Sequence, residues 1–198
     1  MRRIGKVVRL QVQRASLKVN LLTGDRSDRQ YDPAPLLAVD RMDVDSNGVT
    51  GILPSNARVI DVHNPLHIES KSTPSRNDVS VGFTSHYDSM RKRFGPHLTD
   101  GIAGENIIVE CDELFDQGTL GSRLTVISNG NEVVRFDNPR AAEPCEPFSR
   151  WALRDPSLKP VDPIIGQTLK FLRNGMRGYY TSCKTAGAIQ IGDEIFVD

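Results

Sequence analysis

Residues 122–136, SRLTVISNGNEVVRF, hold two short apolar-rich segments on either side of a turn signal. The segments 122–128 and 132–136 have the length and composition of β-strands. Asn129-Gly130-Asn131 between them favours a tight reversal, because asparagine and glycine adopt the backbone angles that hairpin turns need. The stretch therefore predicts an antiparallel hairpin and points to a β fold.

Similar patterns recur on both sides of this hairpin. Residues 7–13, VVRLQVQ, alternate apolar and polar side chains with the period of a half-buried strand. Asn47-Gly48 is a turn signal before a strand at 49–52. Further strands are predicted at 17–22, 35–44, 57–63, 105–111, 177–183 and 188–197.

Two short helices are predicted. The first carries an apolar stripe at helical spacing, which we expect to face the core: Phe83, Tyr87, Met90 and Phe94. Thr84 or Ser85 is its expected N-cap, and Gly95-Pro96 its end. The second begins at Asp162 as N-cap with Pro163 in the first turn, and Gly175 is its expected C-cap.

Roughly nine or more short strands and two helices then make up the chain, and the strands rarely alternate with helices. This pattern disfavours a doubly wound parallel sheet. A closed mixed β-barrel is expected, since closure removes the exposed edges of an open sheet. Residues 1–198 are expected to form a single domain, with 64–79 as a polar loop.

Composition excludes several classes of function. Lys plus Arg and Asp plus Glu both number 25, and a chain without net charge is not expected to bind nucleic acid. No apolar stretch approaches the roughly 18 residues of a membrane span, so we expect no membrane association and a cytoplasmic location. The three cysteines are then expected to be reduced thiols.

One cysteine stands out from the other two. Within NPRAAEPCEPFSRW, residues 138–151, Cys145 lies between two prolines that restrict the backbone. Arg140 and Arg150 flank it, and a nearby guanidinium favours the reactive thiolate, although two adjacent glutamates oppose this effect. The segment is expected to be a loop in which nothing buries this cysteine, so Cys145 is a candidate reactive thiol. Cys111 and Cys183 lie in strand patterns and are expected to be buried.

Other polar residues carry weaker signals. The turn DGIAGENIIVE, residues 100–110, is neither a P-loop nor a dinucleotide fingerprint, because no Gly-Lys-Ser/Thr follows and a strand replaces the required helix. A zinc site formed by His63, His67 and Cys145 is a remote alternative, since only tertiary folding could assemble it. Arg177 is either a surface charge or a phosphate contact.

Three motifs in a fixed order resemble the MOSC domain, which occurs at the C-terminus of molybdenum cofactor sulfurases and in small stand-alone bacterial proteins. They are GIAGENIIVE (101–110), PRAAEPCEPF (139–148) and GMRGYYTSCKTAGAIQIGDEIFV (175–197). The strong resemblance covers about residues 95–197. It implies a barrel of the pyruvate-kinase-insert type, mainly β with a few short helices.

The resemblance also implies a site. Cys145 matches the family cysteine that is proposed to carry sulfur or to ligate molybdenum, a role suited to a soft thiolate. The remaining candidates for binding the molybdenum cofactor (molybdopterin) are Arg140, Gly101, Gly104, Glu105, Asn106 and Arg177. The glycine turn at 101–104 is expected to present backbone N–H groups to an anion, and Arg140 or Arg177 to pair with the cofactor phosphate. Residues 141–143 separate the Pro-Arg and Pro-Cys pairs that usually lie close together in the family.

Three functions remain open on this basis: sulfur transfer, a part in reducing N-hydroxylated compounds, and non-catalytic binding or delivery of a pterin or anion. Pyridoxal phosphate binding and catalytic activity belong to the sulfurases in which the domain occurs. This sequence shows no pyridoxal-dependent desulfurase segment and no flavin- or ferredoxin-like segment. A cysteine desulfurase or a redox partner protein is therefore the expected partner.

Overall fold

The computed structural model describes residues 1–20, 29–70, 79–157 and 161–198. Within them the chain is mainly β, with three short helices. The strands are β1 (Arg2–Gln13), β2 (Lys18–Asn20), β3 (Arg29–Tyr31), β4 (Leu36–Val39), β5 (Arg41–Asp45), β6 (Gly48–Ile52), β7 (Arg58–Ile60), β8 (Val79–Phe83), β9 (Ile107–Glu110), β10 (Arg123–Ser128), β11 (Asn131–Ala141), β12 (Tyr179–Thr185), β13 (Gly187–Gln190) and β14 (Glu194–Val197). The helices are α1 (Thr84–Phe94), α2 (Glu146–Leu153) and α3 (Pro163–Phe171).

Seven strands close into a mixed barrel, in the order β1-β14-β10-β11-β12-β8-β9 and back to β1. The pair β8–β9 is parallel and the other barrel pairs are antiparallel. β1 is the closing strand, because it pairs with β14 near its beginning and with β9 further along. The predicted closed mixed barrel is confirmed.

Smaller sheets surround the barrel. β4 adds to β1 as an eighth strand, β13-β5-β6-β7 form a separate sheet, and β2 and β3 form a hairpin. One apolar cluster fills the barrel, with Val7, Val126 and Phe136 fully buried within it. A second cluster lies under the helices and includes Tyr87 and Phe148. The candidate site lies next to this second cluster.

The predicted strands form, although several of their limits differ. The hairpin over 122–136 is confirmed as β10 and β11. The segment 35–44 forms two strands, β4 and β5, and 188–197 forms β13 and β14 around a turn at Gly192. The segment 57–63 forms only β7, Arg58–Ile60, and the buried side chain of Asp61 after it accepts hydrogen bonds from the backbone N–H groups of Gln13 and His63.

The helix predictions are confirmed in position but not in every cap. Phe83, Tyr87 and Met90 are fully buried, as expected. Neither Thr84 nor Ser85 caps α1, because their hydroxyls donate to the carbonyls of Cys111 and Glu113. Asp162 caps α3, but α3 ends at Phe171 with Leu172 as its C-cap, rather than at the expected C-cap Gly175.

α2 was not predicted, and it begins directly after Cys145. Two flanking prolines suggested a loop here, yet a proline in the first turn of a helix is well tolerated. The expected polar loop at 64–79 lies partly outside the described residues, and β8 begins at Val79. The predicted strand residues 21 and 22 also lie outside them. Among the described residues, no helix has both the length and the apolar surface that crossing a lipid bilayer requires.

Candidate functional site

A cavity of about 740 Å³ lies beside the barrel. Its walls come from the β2–β3 hairpin, the loop after β7, the turn before β9, the segment after β11 and the turn before β12. Cavities of this size hold small organic ligands and cofactors. The barrel therefore brings segments that are remote in sequence to one ligand-sized space.

Cys145 lies behind the wall of this cavity. It is the N-cap residue of α2, is half-buried, and packs against the aromatic cluster under the helices. The expectation that nothing buries Cys145 is therefore wrong, since α2 and its aromatic residues cover part of it. Two residues near Cys145 line the cavity: Glu143, two positions before it in the sequence, and Arg177, which contacts its sulfur.

Arg177 connects the cysteine to the cavity. Its Nη1 lies 3.4 Å from the Cys145 sulfur and 3.2 Å from the Glu143 carbonyl, and its Nη2 lies 3.4 Å from the Ala103 carbonyl. The guanidinium carbon also lies 4.6 Å from the centre of the Phe148 ring. Burial opposes the charge of Arg177, but Cys145, Tyr180, Tyr31 and Glu105 together raise its pKa. Arg177 is therefore a permanent cation beside the thiol.

The glycine turn does not present the predicted row of free N–H groups. The N–H groups of Ile102 and Gly104 donate to backbone carbonyls, and that of Ala103 donates to the Tyr87 hydroxyl. The carbonyls of Gly101 and Gly104 accept from Gln11 and Gln13. This expectation is wrong because the turn uses its polar groups to hold itself against β1. Glycine is needed at 104, where φ is +103° and a Cβ would meet Leu17 and Gln13 at 2.8 and 2.9 Å.

Glu105 lies at the wall of the cavity with only 3% of its surface exposed. Its Oε2 accepts a hydrogen bond of 2.6 Å from the Tyr87 hydroxyl, while Oε1 is buried and has no partner among the described residues. Burial raises the pKa of Glu105, although the Tyr87 hydrogen bond partly offsets this effect. A buried carboxylate with an unpaired oxygen is costly, which marks Glu105 as a candidate ligand contact.

Asn106 has a structural role. Its Oδ1 accepts from the backbone and hydroxyl of Ser80, and its Nδ2 donates to the buried carboxylate of Asp61. These bonds join β8, β9 and the loop after β7. The side chain is committed to protein contacts, so its predicted part in cofactor binding is indirect.

Arg140 lies at another place in the fold. It is an exposed residue of β11 and lines a second cavity with Gln117, Asn138 and Ser182. The two cavities share no lining residue among those described. Arg150 is buried on α2 in ion pairs with Glu146 and Asp155. The cation in contact with Cys145 is thus Arg177, which is distant in sequence.

Sequence reasoning considered His63 only as a ligand of the alternative zinc site, and it missed other cavity residues. His63 lines the cavity and its Nδ1 lies 2.9 Å from the buried Asp61 carboxylate. Lys18, Arg29 and Tyr31 reach the cavity from the β2–β3 hairpin. The Asp-x-His spacing was the only available signal for His63, and it carries little information without the fold. No group of three or more metal-ligating side chains is assembled within the described ranges, so the zinc alternative has no support there.

Comparison with known proteins points to one family. A family model described as the MOSC domain matches residues 71–196. The YuaD protein of Bacillus subtilis matches with 17% identity over 97% of each chain and a TM-score of 0.50. YiiM from Geobacillus stearothermophilus matches with 12% identity over the whole of this chain and 74% of its own, with a TM-score of 0.51.

A third crystal structure, of a hypothetical protein, has 10% identity over 98% of this chain and 68% of its own, with a TM-score of 0.58. At these identities the similarities concern the fold alone. A search of curated proteins found no match.

Proposed function

Because the chain belongs to the MOSC domain family, we propose that it binds the molybdenum cofactor in the main cavity, with Cys145 as the sulfur-bearing functional residue. The observation that carries the proposal is the contact between Cys145 and Arg177. In this contact a soft sulfur donor lies behind the wall of a ligand-sized cavity, next to a permanent cation that lines the cavity.

The residues around the cavity fit an anionic pterin cofactor. Lys18, Arg29 and Arg177 supply positive charge toward a phosphate, and arginine pairs with phosphate through two parallel hydrogen bonds. Glu105 offers an unpaired buried oxygen to the polar edge of a ring. Cys145 supplies the thiolate that molybdenum accepts as a ligand. When bound, the cofactor would supply redox and oxygen- or sulfur-transfer chemistry.

Cys145 has two roles under this proposal, as a metal ligand or as a sulfur carrier. In the carrier role, the Cys145 thiolate attacks the outer sulfur of a donor cysteine persulfide. The donor S–S bond breaks, a new S–S bond forms on Cys145, and the donor leaves as a thiolate, so the step needs no external oxidant or reductant. The donor is a separate cysteine desulfurase, to which pyridoxal phosphate belongs. We place this chemistry in the cytoplasm, where thiols remain reduced.

Cofactor retention tests the proposal directly. The chain is produced in cells with active cofactor biosynthesis, and molybdenum per chain is measured for wild type and for Cys145→Ser. Cys111→Ser is the matched control, because Cys111 is buried in the barrel. We expect wild type and Cys111→Ser to retain molybdenum and Cys145→Ser to lose most of it. Equal retention by Cys145→Ser would exclude the ligand role, and no retention by wild type would overturn the proposal.

A second measurement separates carrier from ligand. Wild type and Cys145→Ser are incubated with a cysteine desulfurase and cysteine, and their intact masses are compared. A gain of one sulfur atom confined to wild type would support the carrier role. Reduction of N-hydroxylated compounds is then assayed with an external electron donor. Tight retention of molybdenum without any turnover would instead favour a binding or delivery protein.

The two arginines give a matched comparison. Arg177→Ala is expected to lower cofactor retention about tenfold or more, since it removes a charge-assisted contact beside the cavity. Arg140→Ala is expected to leave retention unchanged, because Arg140 lines the other cavity. A loss with Arg140→Ala alone would move the phosphate site to that cavity.

A further inference from the structure

The carboxylate of Asp61 is fixed in the interior by four hydrogen bonds. It is 1% exposed, and it accepts from the Gln13 backbone at 2.7 Å, the Asn106 amide at 2.9 Å, and the backbone and Nδ1 of His63 at 2.9 Å each. Burial alone would raise the pKa of Asp61, but the hydrogen bonds and charge of His63 and the Gln13 N–H lower it. Asp61 is therefore an ionised acceptor.

This carboxylate sets the orientation of His63. When the ring is neutral, the acceptor at Nδ1 holds the proton on that nitrogen and leaves a lone pair on Nε2. The imidazole lines the main cavity with 40% of its side chain exposed. The arrangement leaves Nε2 as a hydrogen-bonding atom for whatever occupies the cavity.

Glu105 provides an independent second acceptor in the same cavity. Its Oε1 is buried without a partner in the described part of the chain. Glycines on two sides make room for its side chain: a Cβ at Gly82 would lie 3.1 Å from Cδ, and one at Gly178 would lie 2.8 Å from Cγ. The two glycines thus leave room for a buried carboxylate at a position where an apolar side chain would cost less free energy.

We propose that His63 and Glu105 form a recognition subsite for a planar heterocycle that carries an amino group next to a ring N–H, as in 2-amino-4-oxopteridines, with Asp61 as the positioning residue. His63 and Glu105 line one cavity, and two acceptors on these side chains match two neighbouring N–H donors of such a ring. Lys18 and Arg29, which belong to the β2–β3 hairpin, remain available for an anionic tail. The inference rests on the proposed function, which it deepens by naming the residues that select the ring.

Free pteridines test this subsite without molybdenum or turnover. Neopterin carries the 2-amino group, whereas lumazine has a carbonyl oxygen there, and the binding of each is followed by its own fluorescence. Wild type is expected to bind neopterin about tenfold more tightly than lumazine, because lumazine turns a carbonyl oxygen toward an acceptor of the protein and leaves that acceptor unpaired. Glu105→Gln is expected to lose this preference, since an amide can also donate.

His63→Gln and Asp61→Asn are expected to weaken neopterin binding about tenfold. For Asp61→Asn the cause is loss of orientation, so the imidazole nitrogen resonances should report a changed tautomer before any ligand is added. In wild type, neopterin should shift the Nε2 resonance of His63. Arg140→Ala is the control and should bind neopterin normally, because Arg140 lines the other cavity.

The outcomes distinguish this inference from the proposed function. If wild type retains the molybdenum cofactor but binds neopterin and lumazine equally, or if Glu105→Gln and His63→Gln bind as wild type does, the subsite is wrong and the proposed function stands. Absence of both cofactor retention and neopterin binding in wild type would overturn both. Should Glu105→Gln fold poorly, the half-exposed His63→Gln provides the decisive comparison.

Discussion

His86 is held in the core as a neutral ring. It is 1% exposed, its Nδ1 donates to the Gly175 carbonyl at 2.9 Å, and its Nε2 accepts from the Phe115 N–H at 3.1 Å. Burial is the main cause that lowers the pKa of His86 to about 4. Protonation would place an N–H against the Phe115 N–H, so the neutral ring is required for both bonds.

This pairing predicts a pH-dependent stability. Because the pKa of His86 is lower in the folded than in the unfolded state, its contribution is complete above about pH 6.5 and is lost between there and about pH 4. The free energy of unfolding in urea should fall over this range by up to about 3 kcal/mol more in wild type than in His86→Gln. Equal pH dependence of the two proteins would contradict the assignment.

Two glycines with the same φ angle allow the cost of backbone strain to be measured separately from the cost of steric overlap. Gly175 and Gly192 both have φ of +94°. A Cβ at 175 would overlap the Tyr179 hydroxyl, whereas one at 192 would meet nothing within 4 Å. Gly192→Ala should cost about 1–2 kcal/mol from strain alone, and Gly175→Ala at least about 2 kcal/mol more from overpacking. Chemical denaturation measures both, and a similar cost at the two sites would refute the overlap.

At the level of elements, α3 depends on a single side-chain cap. Asp162 Oδ1 accepts from the Ile165 N–H at 2.9 Å, which satisfies one of the free donors at the start of the helix. Asp162→Ala should lower the free energy of unfolding by about 1 kcal/mol, while Asp162→Asn should cost little, because it keeps the capping oxygen. Thermal unfolding compares the variants, and a loss in Asp162→Asn as large as in Asp162→Ala would argue against the cap.

Contacts between elements also explain why local capping rules fail at α1 and α2. The first turn of α1 contains two hydroxyl residues that could cap it, yet β9 and the segment after it offer carbonyls that bind both hydroxyls instead. At α2, Cys145 occupies the N-cap position without a side-chain hydrogen bond to the helix. Local capping rules do not contain these tertiary partners, and the sulfur is left to interact with Arg177.

At the scale of the whole molecule, the barrel joins distant parts of the chain. β1 pairs with β4, β9 and β14, so strands from the first fifth, the middle and the last residues share one sheet. The aromatic cluster under the helices draws Tyr31 and Phe148 together from equally distant segments. Removing one segment would therefore expose both clusters, and we propose that residues 1–198 behave as a single domain.

This connectivity predicts one cooperative unfolding transition. Trp151, the only tryptophan, lies on α2 and reports the helical cluster through its fluorescence, whereas far-ultraviolet circular dichroism reports mainly the barrel. The two signals should give the same midpoint and the same slope in a urea titration. A tryptophan transition clearly separated from the dichroism transition would show that the helical cluster unfolds on its own.

The sequence by itself determined the β class, the main hairpin, the burial of the aromatic stripe on α1 and the cap of α3, because these depend on periodicity and on partners a few residues apart. Its ordered motifs also singled out Cys145, Glu105 and Arg177. Only the tertiary structure decided that Arg177 contacts Cys145, that Arg140 lies in another cavity, and that Asp61 orients His63. Arg177 lies 32 positions from Cys145, and Asp61 is held by Gln13 and Asn106, which lie 48 and 45 positions away, so these contacts exist only once the barrel has closed.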